Sequence, residues 1–148
     1  MSKTCILCHI VFCTKKRKNT IPSLSKPLLY PYLAGIIKNK KSQLLAIGGM
    51  PDHIHFLIDL NPDLALSELV RALKQSSSMW MKQDRLSFPL FESWGKGYYA
   101  ASVSPKLKDA CKVYISNQEL HHGGEGFLTE LRRLIDNIGL QWYDQDWE

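Results

Sequence analysis

The stretch Gly48-Gly49-Met50-Pro51-Asp52-His53-Ile54-His55-Phe56-Leu57-Ile58 sets the terms for the rest of the chain. From His55 to Leu60 it is rich in Phe, Leu and Ile, which favours a buried strand over a helix. Side chains alternate along a strand, so His53 and His55, at i and i+2, project from one face. Gly48-Gly49 and Pro51-Asp52 are turn residues that place the pair at the strand's start, where side chains reach solvent. Two imidazoles held side by side on a rigid strand make half of a metal site. An isolated His-x-His more often caps a strand end, so the remainder of the chain has to supply the other half.

Residues 4–14 alternate Cys5, Leu7, His9, Val11 and Cys13 against Ile6, Cys8, Ile10 and Phe12. Both sets are mostly apolar, so this is a strand covered on both faces. Lys15 to Lys18 ends it. Residues 28–38 place Leu29, Tyr32, Leu33, Ile36 and Ile37 at helical spacing, with Pro31 expected early in the helix. A strand at about 43–49 turns at Pro51-Asp52 into the histidine strand. Leu66, Leu69, Val70, Leu73, Ser77 and Trp80 then predict a helix to about Gln83. Phe88 to Lys96 reads as an aromatic loop and Tyr98 to Val103 as a fourth strand. Ser104-Pro105 is an N-cap followed by a first-turn proline. Its helix is expected to run to about His122, ended by Gly123-Gly124. A last amphipathic helix from Phe127 to Ile138 precedes an aromatic, acidic tail with Trp142, Tyr143 and Trp147.

The order β-α-β-β-α-β-α predicts an α+β, ferredoxin-like antiparallel sheet, with helices on one face plus C-terminal helices. The first and third strands are then central neighbours, which puts the histidines on the rigid middle of the sheet. Residues 1–148 read as one domain, with 123–148 a C-terminal helical tail. No apolar run is long enough to span a bilayer, and no signal peptide is credible at the start, so the expected location is cytoplasmic. The net charge of +5 points to an anionic partner, of which nucleic acid is the commonest. Cys5-x-x-Cys8 has no second pair, and its two thiols face opposite sides of a strand. All four cysteines are therefore read as small buried apolar residues of a reducing compartment.

On the helix after Ser104, the positions Leu107, Ala110, Cys111, Tyr114 and Gln118 share a face. A tyrosine and a glutamine four apart on a buried face need partners for their polar atoms. A metal held by His53 and His55 would supply one, with Gln118 as a third ligand through its amide oxygen. By itself Tyr114 reads more often as a core tyrosine with a hydrogen-bonded hydroxyl.

Met50-Pro51-Asp52-His53-Ile54-His55, Trp94-Gly95-Lys96-Gly97-Tyr98, Ser102-Val103-Ser104 and Tyr114-Ile115-Ser116-Asn117-Gln118 with His121-His122 follow one another in order. Together they resemble the single-tyrosine transposases of small bacterial insertion sequences, in the His-hydrophobic-His nuclease superfamily. Tyr99 and Ala101 depart from the Gly and Phe that members often carry. The resemblance implies metal-dependent cleavage and rejoining of single-stranded DNA at element ends through a 5′-phosphotyrosine. Tyr114 is then the nucleophile; His53, His55 and Gln118 hold Mg²⁺ or Mn²⁺. Lys15, Lys16, Arg17, Arg71, Lys74 and Lys96 are candidates for phosphate contact, and Trp94 for base stacking. In insertion-sequence relatives it implies a homodimer whose sites take histidines from one chain and tyrosine from the other, and in REP-associated relatives, tied to repetitive palindromes, a monomer with the site in one chain; the apolar tail favours the homodimer. Alternatives are a replication or transfer nickase of the same superfamily, a hairpin-binding descendant without cleavage, and a metal- or ligand-binding domain unrelated to DNA.

Overall fold

A computed structural model describes residues 2–118 and 126–147. The strands are β1 (Leu7–Cys13), β2 (Gln43–Met50), β3 (His53–Asp59) and β4 (Tyr99–Ser102). The helices are α1 (Lys26–Asn39), α2 (Leu66–Gln83), α3 (Lys108–Ser116) and α4 (Phe127–Asn137). One antiparallel sheet has the order β2-β3-β1-β4, so β1 and β3 are the central neighbours that the element order predicted. No helix among the described residues is long and apolar enough to cross a membrane.

Alternation along the two central strands divides the interior in two. Ile10 and Phe12 of β1, with Ile54, Phe56 and Ile58 of β3, pack under α1 and α2 through Leu29, Leu33, Ile37, Leu69 and Leu73. The opposite face carries Val11 and Cys13, which meet Phe127, Leu131, Ile135 and Trp147, while Leu7 and Leu57 meet Ile115. That second face is the one from which His9, His53 and His55 project. The two core helices therefore share one face, and the C-terminal elements α3 and α4 roof the other.

Several local features differ from the sequence reading. The first-turn proline of α1 is Pro27; Pro31 falls a turn later, exposed, because the helix begins at Lys26. Ser104 does cap, its hydroxyl accepting from Lys106 N, but it starts a short 3-10 turn before α3. Leu107, on the stripe assigned to the buried face, is 59% exposed; the inward residues are Cys111, Tyr114, Ile115 and Gln118. The expected end of this helix at His122 and the stop at Gly123-Gly124 lie outside the described residues. Cys5 is exposed and only Cys13 is buried outright, so a uniform burial of the four free thiols is not what the fold does.

The tail also behaves differently. Trp147 is buried against β1 and β4, and Trp142 packs beside it. Arg17 donates to the Trp147 carbonyl. The two tryptophans thus cover this chain's own sheet, while Ile138, Leu140 and Tyr143 stay 41, 60 and 47% exposed.

Candidate active site

The turn Pro51-Asp52 is fixed from behind: Thr14 N donates to the Asp52 carbonyl, and Thr20 N and Ile21 N donate to that of Pro51. The basic loop after β1 is thereby tied to the start of the histidine strand. From this turn His53 and His55 enter the second face fully buried, rather than at a solvated strand end. His53 Nδ1 lies 2.7 Å from Asp52 Oδ1. A carboxylate only accepts, so His53 donates from Nδ1 and turns Nε2 inward. Asp52 therefore orients a histidine as well as making the turn.

Tyr114 and Gln118 arrive from the other layer. α3 lies close against β2; a Cβ at Gly48 would overlap the Ile115 carbonyl oxygen, so glycine there sets how deep the helix sits. Gln118 Oε1 stands 3.2 Å from His53 Nε2, and the Tyr114 ring is 5.8 Å from that of His55. Histidines and tyrosine of this chain thus lie side by side, the arrangement implied by the one-chain alternative.

The residue absent from the sequence reading is Glu130, wholly buried on α4. Its Oε1 is 3.0 Å from His55 Nε2 and 3.5 Å from His53 Nε2. Its Oε2 accepts from the Tyr114 hydroxyl, and from Gln118 Nε2 at 3.3 Å. Burial alone would raise the carboxyl's pKa, but hydrogen bonds from His53, His55 and Tyr114 overcome it and hold Glu130 far below the carboxylate range. The Tyr114 phenol is pushed the other way, by burial and then by the adjoining carboxylate, with Arg133 opposing. For His53, burial depresses the imidazole, but Asp52, Glu130 and Gln118 outweigh it and raise the pKa. His9 Nε2 contacts His55 Nδ1 at 2.8 Å; burial, then the neighbouring His55, lowers its pKa to about 3, so it stays neutral.

His53, His55 and Glu130 are the described group of His, Cys, Asp and Glu able to hold a cation, with ligand atoms all within 4.8 Å of one another. Adjacent ligands of an octahedral ion at about 2.1 Å stand about 3 Å apart, so the spacings between His55 and Glu130 and between His53 and Gln118 fit a divalent ion. Glu130 thus brings a carboxylate to the two histidines, beside the amide oxygen of Gln118 that the sequence reading had as the third ligand.

Other expected residues are placed less uniformly. Lys15, Lys16 and Lys96 line one open cleft with Trp94 and Gln145, and Arg71 is exposed on α2. Lys15 pairs with Glu92 at 3.7 Å. Lys74 does not present a free ammonium: Nζ donates to the carbonyls of Gly95, Lys96 and Gly97, at 2.9, 3.3 and 2.9 Å. It clamps the Trp94–Tyr98 loop. Trp94 is no stacking platform either, being 8% exposed, donating to Ser77 Oγ and packing edge-on to Phe12. Both corrections have one cause: an aromatic loop crossing the end of a sheet must bury its rings and satisfy its carbonyls.

The IS200-like transposase family model matches residues 2–118. The ISDra2 transposase TnpA of Deinococcus radiodurans is 26% identical over 114 residues, covering 74% of this chain and 81% of that protein. The transposase for insertion sequence element IS200 of Salmonella typhimurium is 27% identical over 116 residues, covering 74% of each. Among solved structures, a transposase of Deinococcus radiodurans superposes with a TM-score of 0.61 at 26% identity, over 79% of this chain and 93% of that one. A REP-associated tyrosine transposase bound to a REP hairpin shares the fold, with a TM-score of 0.57 at 16% identity, covering 100% and 92%.

Proposed function

The chain belongs to the IS200-like transposase family, and from that premise we propose that it cleaves and rejoins single-stranded DNA at the ends of an insertion sequence through a covalent tyrosine link. One observation carries the chemistry: the Tyr114 hydroxyl and both histidines converge on the same buried carboxylate. Tyr114 Oη attacks the scissile phosphorus, the bond from phosphorus to the 3′-oxygen breaks, and a 5′-phosphotyrosine and a free 3′-OH result. Attack by a 3′-OH on that link restores a phosphodiester and frees the tyrosine, so strands are exchanged without ATP.

Before attack, the Tyr114 hydroxyl donates its hydrogen bond to Glu130 Oε2, which fixes the side of the phenol on which the proton sits. Arg133 Nη2, 3.3 Å from Tyr114 Oη, donates to the same oxygen and steadies charge as the proton departs. His53, His55 and Glu130, with Gln118 beside them, would hold Mg²⁺ or Mn²⁺; the carboxylate and amide oxygens favour such hard ions more than the imidazole pair alone. The cation's contribution when bound is to polarise a non-bridging phosphate oxygen and neutralise developing charge. Lys15, Lys16 and Lys96 would hold the DNA backbone, and the substrate ends would be hairpins, as in the REP-bound relative. The expected location is the cytoplasm. The homodimer implied by the resemblance is not needed to complete a site, since each chain carries its own histidines, carboxylate and tyrosine.

The test is a covalent protein–DNA band. Single-stranded oligonucleotides bearing the element's ends and Mg²⁺ should give the band with the wild-type chain and none with Tyr114→Phe. A band from Tyr114→Phe removes the nucleophile from the proposal, and a full-strength band in a chelator removes the metal. Co-refolded Tyr114→Phe and His53→Ala chains should stay inactive; restored cleavage would mean that sites are shared between chains.

A further inference from the structure

His9 is used by nothing above, yet it touches the site. It lies in the middle of β1, buried on the face that carries His53 and His55, with its ring edge-on to Tyr99 and Tyr114 at centroid separations of 5.5 and 6.2 Å. Its Nε2 meets His55 Nδ1 at 2.8 Å. The two ring centroids are 5.1 Å apart with planes 22° from parallel. Rings that are nearly coplanar and joined nitrogen to nitrogen share one proton along a line; they are hydrogen-bonded edge to edge, not stacked face to face.

Each histidine of the His-Ile-His pair thus has a partner on its outer nitrogen. For His53 that partner is the Asp52 carboxylate, which can only accept. For His55 it is an imidazole, which can accept or donate. A neutral imidazole carries one N–H, so His55 offers a lone pair from Nε2 only when its proton sits on Nδ1 and His9 Nε2 accepts it. We propose that His9 is a positioning residue: when the cation is bound, its Nε2 accepts from His55 Nδ1, fixing the ring's angle and tautomer so that Nε2 of His55 gives up its hydrogen bond to Glu130 and faces the ion beside that carboxylate. A histidine merely filling space on a central strand would need no such alignment, and Val or Ile would fill it without burying two polar nitrogens. The inference rests on the metal reading of His53, His55 and Glu130.

Mn²⁺ titration followed by electron paramagnetic resonance tests it on folded, DNA-free protein. The wild-type chain should bind Mn²⁺, and His53→Ala should bind at least a hundredfold more weakly; failure of either overturns the metal site itself. Given that site, His9→Phe should weaken Mn²⁺ about 10- to 100-fold, the usual consequence of removing an outer partner of a ligating histidine. His9→Gln, whose Oε1 can take the place of Nε2 as acceptor, should stay within about threefold of wild type, by the same argument. Equal affinity in His9→Phe and wild type overturns the positioning role while leaving the metal site intact. Nitrogen-15 spectra of the wild-type chain loaded with Mg²⁺ provide a readout that does not depend on the variants folding. His55 Nδ1 should show the shift of a protonated nitrogen and His9 Nε2 that of an unprotonated one, and the reverse assignment overturns the proposal.

Discussion

Replacing Glu130 by Gln keeps the side chain's size and removes its charge, and the consequence can be worked from its contacts. Oε1 faces His55 and His53, and Oε2 accepts from Tyr114 and Gln118. A glutamine can present its oxygen to only one of these pairs. With the amide nitrogen toward Gln118, two donors face each other; with it toward the histidines, an N–H meets the Nε2–H groups that donate to Glu130 in the ion-free chain. Either way two charge-assisted hydrogen bonds are lost, each worth about 1.5–3 kcal/mol, and partial adjustment leaves a loss of about 3 kcal/mol. For a chain of this length that is a fall in melting temperature of roughly 6–12 °C. The assay is thermal unfolding by circular dichroism, with and without Mn²⁺. Wild type should gain several degrees on adding the ion, since a ligand that binds only the folded state stabilises it. Glu130→Gln should melt lower and gain little. If the variant melts within a degree of wild type and gains the same Mn²⁺ increment, Glu130 neither ties the histidines together nor holds the ion.

Gly48→Ala should push α3 off β2, costing about 1–3 kcal/mol from overpacking and lowering cleavage more than stability alone explains, as Tyr114 and Gln118 ride on that helix; unchanged adduct yield would show the depth of α3 to be unimportant. Lys74→Met should leave three carbonyls short of a donor and cost about 2 kcal/mol, with the salt dependence of DNA binding unaltered in fluorescence anisotropy. Lys15→Ala, Lys16→Ala and Lys96→Ala should instead leave the melt unchanged and each reduce the slope of log K against log salt by about 1; a slope equal to wild type removes that lysine from the DNA face.

The sheet was legible because two signals were clean: a short continuous apolar run in β3, and spacing by threes and fours in α1 and α2. The histidine pair, Tyr114 and Gln118 were legible for the same reason, each being a polar residue fixed to one face by its element. Glu130 was not, although it left a trace. It sits among Phe127, Leu131 and Leu134 on the apolar stripe of α4, and an acid on such a stripe needs partners; what those partners are depends on how the chain returns over the sheet. His9 was hidden inside a strand apolar on both faces, where one imidazole hardly disturbs the alternation. Lys74 and Trp94 were misread as surface groups because the loop carbonyls and core ring that they serve lie more than twenty and more than eighty residues away. Charge and aromaticity in a sequence do not reveal which way a side chain turns.

Glu130 stands twelve residues beyond the end of the family match, on a helix that touches the site through Phe127, Glu130 and Arg133. Local opening of that helix must pull the carboxylate away from both histidines, so the helix and any bound ion share one free energy. At an ion concentration a hundredfold above its dissociation constant, that linkage amounts to about 2.7 kcal/mol. Backbone amides of α4 that exchange with deuterium by such opening should then do so about a hundredfold more slowly when the ion is present, whereas those of α1 and α2, packed on the other face, should keep their rates wherever they exchange without α4 lifting.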